Sequence, residues 1–259
     1  MSEHNFGLLN DTQKTALGEI EKQTLSTVDA RYSTGYPEYR GACGEVWLYH
    51  NGHHARSVGK GALRVARAVG VAPEAARISE LAGYAHDIYQ GRGHEQRSAA
   101  WLEEQLREKG LPKPVAQMAS LAIKGTEPIF SSGIITGQMA TWQQYPSREA
   151  EQVACAVAAA DLGTLYQPEG PLMAHDIYRE LQHDPAPAID DKLLHFQRQQ
   201  LRTLETYRYP TVKAERVLAT HRPQVMTYHE KLLGQLERGD VENWQQLRTQ
   251  DEVFLTQHS

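Results

Sequence analysis

The chain is poor in cysteine: two occur in 259 residues, Cys43 and Cys155, and neither sits in a CxxC spacing. That argues against a disulfide framework and a thiolate zinc site, and it fits a reducing cytoplasm. No stretch approaches the roughly 18 apolar residues that a membrane span needs. Met1 to Asn10 lack a basic segment followed by an apolar one, so neither a membrane partner nor a secretory signal is expected. A basic surplus is missing too. The 27 Lys and Arg against 32 Asp and Glu leave a net charge of −5, which gives no footprint for nucleic acid. Strand signals are nearly absent, and no internal repeat or low-complexity tract interrupts the chain. With 40% hydrophobic and 23% charged residues, wholesale disorder is excluded and the chain can bury a sizeable core without cross-links.

What is present is helical periodicity and histidine. Apolar residues recur at helical spacing over Leu8–Tyr32 (Ala16, Ile20, Leu25, Val28). An irregular loop rich in Gly, Pro and Tyr follows from Ser33 to Gly44. A long helix is predicted over Glu45–Val69, although Gly52, Gly59 and Gly61 weaken it, and Gly70 ends it. Pro73 suits a first helical turn, which predicts a helix over Pro73–Tyr89. Further helices are predicted over His94–Lys109, Pro112–Lys124 and Arg148–Tyr166, then at about 171–183, 189–208, 211–236 and 240–256. Gly125–Tyr145 reads as a loop plus a short helix. The fold class expected is all-α with one core.

Twelve histidines are the unusual feature of the composition. Three of them fall within Tyr49-His50-Asn51-Gly52-His53-His54, inside an otherwise apolar-periodic pattern. On the predicted helix His50 and His54 share a face that continues to Val58 and Ala62, so at least one imidazole points inward. Ala85-His86-Asp87-Ile88 closes a helix whose earlier turns are apolar. Adjacent side chains there diverge by about 100°, which lets neighbours occupy two corners of one coordination sphere. In Ala154 to Leu162 a single carboxylate, Asp161, follows a run without a strongly polar side chain. A buried carboxylate costs several kcal/mol unless a cation or strong donors offset it. A metal ion or a distant arginine would each serve.

The order of His, then His-Asp, then Asp, each on its own helix, resembles the signature of the HD superfamily of metal-dependent phosphohydrolases. Tyr49-His50-Asn51-x-x-His54 followed by Val58 resembles the opening helix of many members, Ala85-His86-Asp87-Ile88 the doublet, and Ala160-Asp161-Leu162 the closing ligand. The resemblance covers roughly residues 45–165, as a metal-binding core. Residues 1–44 would form an N-terminal helix and loop, and 166–259 a C-terminal helical extension. It implies an HD-like bundle in which His54, His86, Asp87 and Asp161 hold one divalent metal ion: Mn, Fe, Co, Ni, Zn or Mg. Two-metal members carry two further histidines between the doublet and the last Asp. Here only His94 lies there, which favours one metal.

His94-Glu95-x-x-Ser98-Ala99 is also similar to related hydrolases. His94 is a candidate for protonating a leaving-group oxygen, or an exposed loop histidine. Glu95 is an alternative acid, or a helix N-terminal Glu favoured by the macrodipole. Asp87 would serve as ligand and help to aim the metal-bound water. Arg92, Arg97 and Lys124 are candidate phosphate clamps, or solvated surface residues. His53 is expected to point away from the metal face. Ile88-Tyr89-Gln90 lacks the acidic pair that follows the doublet in stringent-response hydrolases, which disfavours that substrate. Gly35-Tyr36-Pro37 lies upstream of the first ligand, unlike the tripeptide of cyclic-dinucleotide hydrolases. The expected activity is hydrolysis of a phosphoester of a small nucleotide-like or phosphorylated metabolite. An iron-dependent oxygenase and a non-enzymatic metal or ligand sensor are the alternatives, and the polar C-terminal helices could form a homodimer.

Overall fold

The computed structural model describes residues 9–34, 48–184 and 186–259. Ser33 and Thr34 close the first helix. The rest of the predicted 33–44 loop, with Gly35-Tyr36-Pro37 and Cys43, lies outside the described residues.

The described residues form eleven α-helices and one two-stranded hairpin, and the all-α expectation holds. Five helices come first: α1 (Asp11–Thr34), α2 (Gly52–Val69), α3 (Pro73–Ala85), α4 (His94–Glu108) and α5 (Lys113–Lys124). They precede β1 (Pro128–Ser131) and β2 (Ile134–Gln138). Then come α6 (Arg148–Asp161), α7 (Gly170–Gln182), α8 (Asp191–Thr206), α9 (Val212–Leu218), α10 (Arg222–Arg238) and α11 (Trp244–His258).

At the centre α2 packs on both α3 and α6, with α5 behind them. The sequence makes this possible with small residues. A Cβ placed on Gly83 would lie 2.7 Å from the Gly59 Cα, and one placed on Gly61 would lie 3.2 Å from the Ala160 Cβ. The backbones of α2 and α3 therefore touch where Gly59 meets Gly83. Of the glycines that weakened the prediction of α2, Gly59 lets α3 approach closely and Gly61 lets α6 do so. Val153 to Ala160 of α6 are buried on every side, as expected of a helix that is apolar all round.

Several boundaries differ from expectation, and α6 ends at Asp161 rather than at Tyr166. Helix α2 starts at Gly52, because Asn51 is its N-cap and accepts from the His53 and His54 N–H groups; His50 therefore lies ahead of the helix. Helix α3 ends at Ala85, with His86 as its still-helical C-cap. The segment read as loop plus short helix is mainly a β-hairpin. Ser132 and Gly133 both have positive φ, 50° and 80°, the requirement of a tight two-residue hairpin turn. The helix expected over 211–236 is broken between Leu218 and Arg222.

One main core runs through the fold, with a smaller cluster beside it. The main cluster draws in Leu204, Tyr207, Tyr209, Val225 and Phe254 from the C-terminal part. A second, smaller cluster of Tyr178, Leu193, Leu232, Val241 and Leu247 joins the C-terminal helices to one another. Beside it runs a buried polar chain. Tyr228 donates to Asp251 Oδ1 at 2.6 Å, Asp251 Oδ2 meets His175 Nδ1 at 2.7 Å, and His175 Nε2 faces Gln197 Oε1 at 3.3 Å. Gln197 Nε2 then reaches His229 Nδ1 at 2.5 Å. Burial, and the neighbouring His175, push His229 down to about 3.

Candidate metal centre

The α2–α3 crossing brings the first two imidazoles face to face. His54 sits on the first turn of α2 and His86 just past the end of α3. Their Nε2 atoms are 3.2 Å apart, and both residues are buried. Asp87 Oδ2 lies 3.0 Å from His86 Nε2 and 3.5 Å from His54 Nε2. The end of α6 supplies Asp161, whose Oδ1 is 3.2 Å from His86 Nε2 and 3.5 Å from His54 Nε2. Asp161 therefore faces the two imidazoles, and no arginine pairs with it among the described residues. His54, His86 and Asp87 form the tightest group, and Asp161 closes it from the more exposed side.

These separations have a chemical meaning. Donors at about 2.1 Å from one cation are about 3.0 Å apart at the cis positions of an octahedron and about 3.4 Å apart in a tetrahedron. The observed 3.0–3.5 Å spans both. Tautomer fixing points the same way. His86 Nδ1 donates to the Gly83 carbonyl at 2.8 Å, which leaves the Nε2 lone pair directed at the cluster. A bare lone pair facing two carboxylate oxygens and another ring nitrogen in a buried pocket requires a cation or a proton between them. His54, His86 and Asp87 could hold a divalent metal ion.

The electrostatics reflect that demand. Burial opposes a charge on His86, but the attraction of Asp87 and Asp161 outweighs it and holds the imidazole well above its ordinary value. Burial likewise opposes charge on the two carboxylates. His86, together with hydrogen bonds from the imidazoles, overcomes it, holding Asp87 well below the usual carboxylate range and Asp161 at about 2.

A second ring of groups surrounds the four. Asp87 Oδ1, on the side away from His54 and His86, is 3.2 Å from His94 Nε2. His94 Nε2 is also 3.4 Å from Glu95 Oε1, and its Nδ1 is held by the Gly91 carbonyl at 3.1 Å. His94 is therefore half-buried and bonded, not a free loop histidine. Burial opposes its charge and the Asp87 contact prevails, so it is raised. Glu95 is buried, and burial raises its carboxyl. Tyr32 of α1 donates to the Asp87 carbonyl.

The candidate phosphate clamps are placed differently. Arg97 donates to the Gln90 carbonyl and lies 5.4 Å from the Tyr89 ring centre, so its guanidinium is engaged in holding the loop after the doublet. Arg92 is exposed and Lys124 is partly buried at the end of α5. Among the described residues no side-chain bond joins either of them to the cluster. His53 is exposed, as expected.

Sequence reasoning missed one residue. Glu180, on α7, meets His50 Nδ1 with Oε1 at 2.6 Å. His50 in turn presents Nε2 toward Asp87 Oδ2 at 4.0 Å. Glu180 lies 130 positions from His50, on an amphipathic helix where a glutamate is unremarkable, so no local signal could have found it.

No family model matches the chain, and no curated protein matches it. Solved structures do. YpgQ of Bacillus subtilis, in complex with ADP, is 16% identical with a TM-score of 0.54, covering 85% of this chain and 95% of that one. A Lactobacillus plantarum protein is 18% identical with a TM-score of 0.53, covering 89% of this chain and 98% of that one. The chain shares its overall fold with these two structures. The likeness spans most of the chain. Among the described residues no helix is long and apolar enough to cross a membrane.

Proposed function

We propose that this chain is a metal-dependent phosphohydrolase that cleaves a phosphoester of a small, nucleotide-like metabolite. The observation that carries the reading is the convergence of four donor atoms from α2, the α3 terminus and α6 at 3.0–3.5 Å. His54, His86, Asp87 and Asp161 would hold one divalent ion, which when bound lowers the pKa of a coordinated water and polarises a phosphoryl oxygen.

The chain's own groups supply the rest. Asp87 divides its oxygens, Oδ2 toward the imidazole pair and Oδ1 toward His94, which fixes the acid relative to the metal position. With Nδ1 committed to Gly91, His94 keeps its mobile proton on Nε2, between Asp87 and Glu95, where it can pass to a departing oxygen. Glu95, kept buried and raised, is a second proton holder at the same place. Arg92 and Lys124 supply cationic charge for substrate phosphates, while Arg97 supports the loop that carries His94. The ADP in the YpgQ complex favours a nucleotide among the phosphorylated candidates.

Elemental analysis of the purified chain, paired with a phosphatase and phosphodiesterase screen that includes nucleotides, tests the reading. Asp87→Ala removes a donor shared by metal and acid, and is expected to lose both bound metal and activity. Turnover that survives Asp87→Ala, or a wild-type chain that binds no divalent metal, would overturn it.

A further inference from the structure

The C-terminal part reaches back to the metal centre through one side chain. Both oxygens of Glu180 are spent on Tyr49 and His50, just ahead of the Asn51 cap of α2. Oε2 accepts from the Tyr49 N–H at 3.0 Å and the His50 N–H at 3.2 Å, while Oε1 meets His50 Nδ1 at 2.6 Å. Residues 48–50 form no helix or strand, so regular secondary structure does not fix them. Asn51 ties the same segment to α2, with Nδ2 donating to the Leu48 carbonyl at 2.9 Å and Oδ1 accepting from the His54 N–H at 3.0 Å. The buried Tyr49 ring lies against the His54 imidazole, ring centres 4.4 Å apart. The path from Glu180 to the first imidazole donor is thus short and wholly polar or packed.

We infer that Glu180 is a positioning residue of the metal centre: by clamping Tyr49 and His50 it holds the wall against which the His54 ring is set. This rests on the metal-centre reading above and adds a role for α7 in it. Losing a carboxylate bonded directly to a ligating imidazole weakens metal binding by about 10–100-fold; Glu180 acts one step further back, through Tyr49 and His50, so the low end of that range applies.

Co2+ is the probe, since its visible absorption reports coordination geometry as well as occupancy. Glu180→Ala is expected to weaken Co2+ affinity by about tenfold and alter the visible bands. Glu180→Gln keeps an amide oxygen for the two backbone N–H groups and should recover most of the affinity. Leu181→Ala, at the neighbouring position where the side chain is 63% exposed, should match the wild type. If the alanine variant does not fold, Glu180→Asp is read in its place, because a side chain one methylene shorter cannot reach all three partners and must also weaken binding. Wild-type Co2+ affinity and spectrum in Glu180→Ala overturn the inference, as does an equal loss in Leu181→Ala. A wild-type chain that binds no Co2+ overturns the metal-centre reading and this inference with it, a result distinguishable from the other two.

Discussion

Replacing Gly83 by alanine sets two effects against each other. Alanine is favoured over glycine in a helix interior by about 1 kcal/mol, so on propensity alone the variant gains stability. The new methyl, however, would lie 2.7 Å from the Gly59 Cα and 2.9 Å from its N, where ordinary contact begins at 3.4 Å. Both neighbours are backbone atoms of a buried helix, and no flexible side-chain end can give way. Overpacking of this kind costs about 1–3 kcal/mol, and the rigid neighbour puts it at the upper end. The net expectation is destabilisation by about 1–2 kcal/mol, a melting temperature lower by about 2–8 °C for a chain of this size. The same shift acts on the metal centre. Gly83 is three residues from His86, and Gly59 is five from His54. Parting the helices by the missing 0.7 Å would take the 3.2 Å Nε2–Nε2 separation to roughly 4 Å, beyond the polyhedron edges of about 3.0–3.4 Å. Thermal melts in EDTA and in saturating Mn2+ measure both effects: the variant should melt lower and gain less from the metal. Gly18→Ala on α1, where the new Cβ would meet nothing within 4 Å, is the control and should be neutral or stabilising. A Gly83→Ala chain that melts at or above the wild type and keeps its full metal-induced shift refutes the crossing geometry.

Two further outcomes follow from the site. His94→Gln should retain bound metal while kcat falls by about 100-fold or more, read from single-turnover rates alongside metal content; loss of metal in this variant would make His94 a ligand instead. Metal affinity should rise by about tenfold per pH unit until pH passes the raised value of His86, because the ion must displace that residue's proton; isothermal titration in a series of buffers reads the slope. In the ion-free chain the charged His86 contributes stability below its ordinary value of about 6.5, lost as pH rises through its raised value. Asp87 and Asp161 contribute above about 3.9, lost as pH falls through their lowered values. The EDTA melting temperature should therefore peak between those limits.

Much of the centre was legible because it breaks a pattern. Asp161 follows an apolar run, Val153 to Ala160, buried on all sides, and His86-Asp87 closes a helix whose inner face is apolar; a polar group in such a place needs a partner. The helix order was legible from periodicity for the same reason. The start of α2 was not. Asn51 reads as one more residue in a periodic run, and only its φ of −137° and its bonds to the His53 and His54 N–H groups show it to be a cap. The hairpin signal, Ser132-Gly133 between apolar pairs, was present but outweighed by the surrounding helices. The meeting of Gly59 with Gly83 and the reach of Glu180 are properties of distant segments, and a glycine or a glutamate alone does not announce its partner.

The polar chain from Tyr228 to His229 also has a direction. Gln197 gives its amide hydrogen to His229, so its oxygen is the end turned to His175, whose other ring nitrogen meets Asp251. Sliding any one of α7, α8, α10 or α11 by a turn would set donor against donor or leave a buried acceptor empty. Hydrophobic contacts would tolerate such a slip; this wiring does not. Helix α7, which contributes His175 to the chain, is thereby fixed in height along its axis, and the carboxylate it carries one turn further on meets the strand of chain before α2 at a single level.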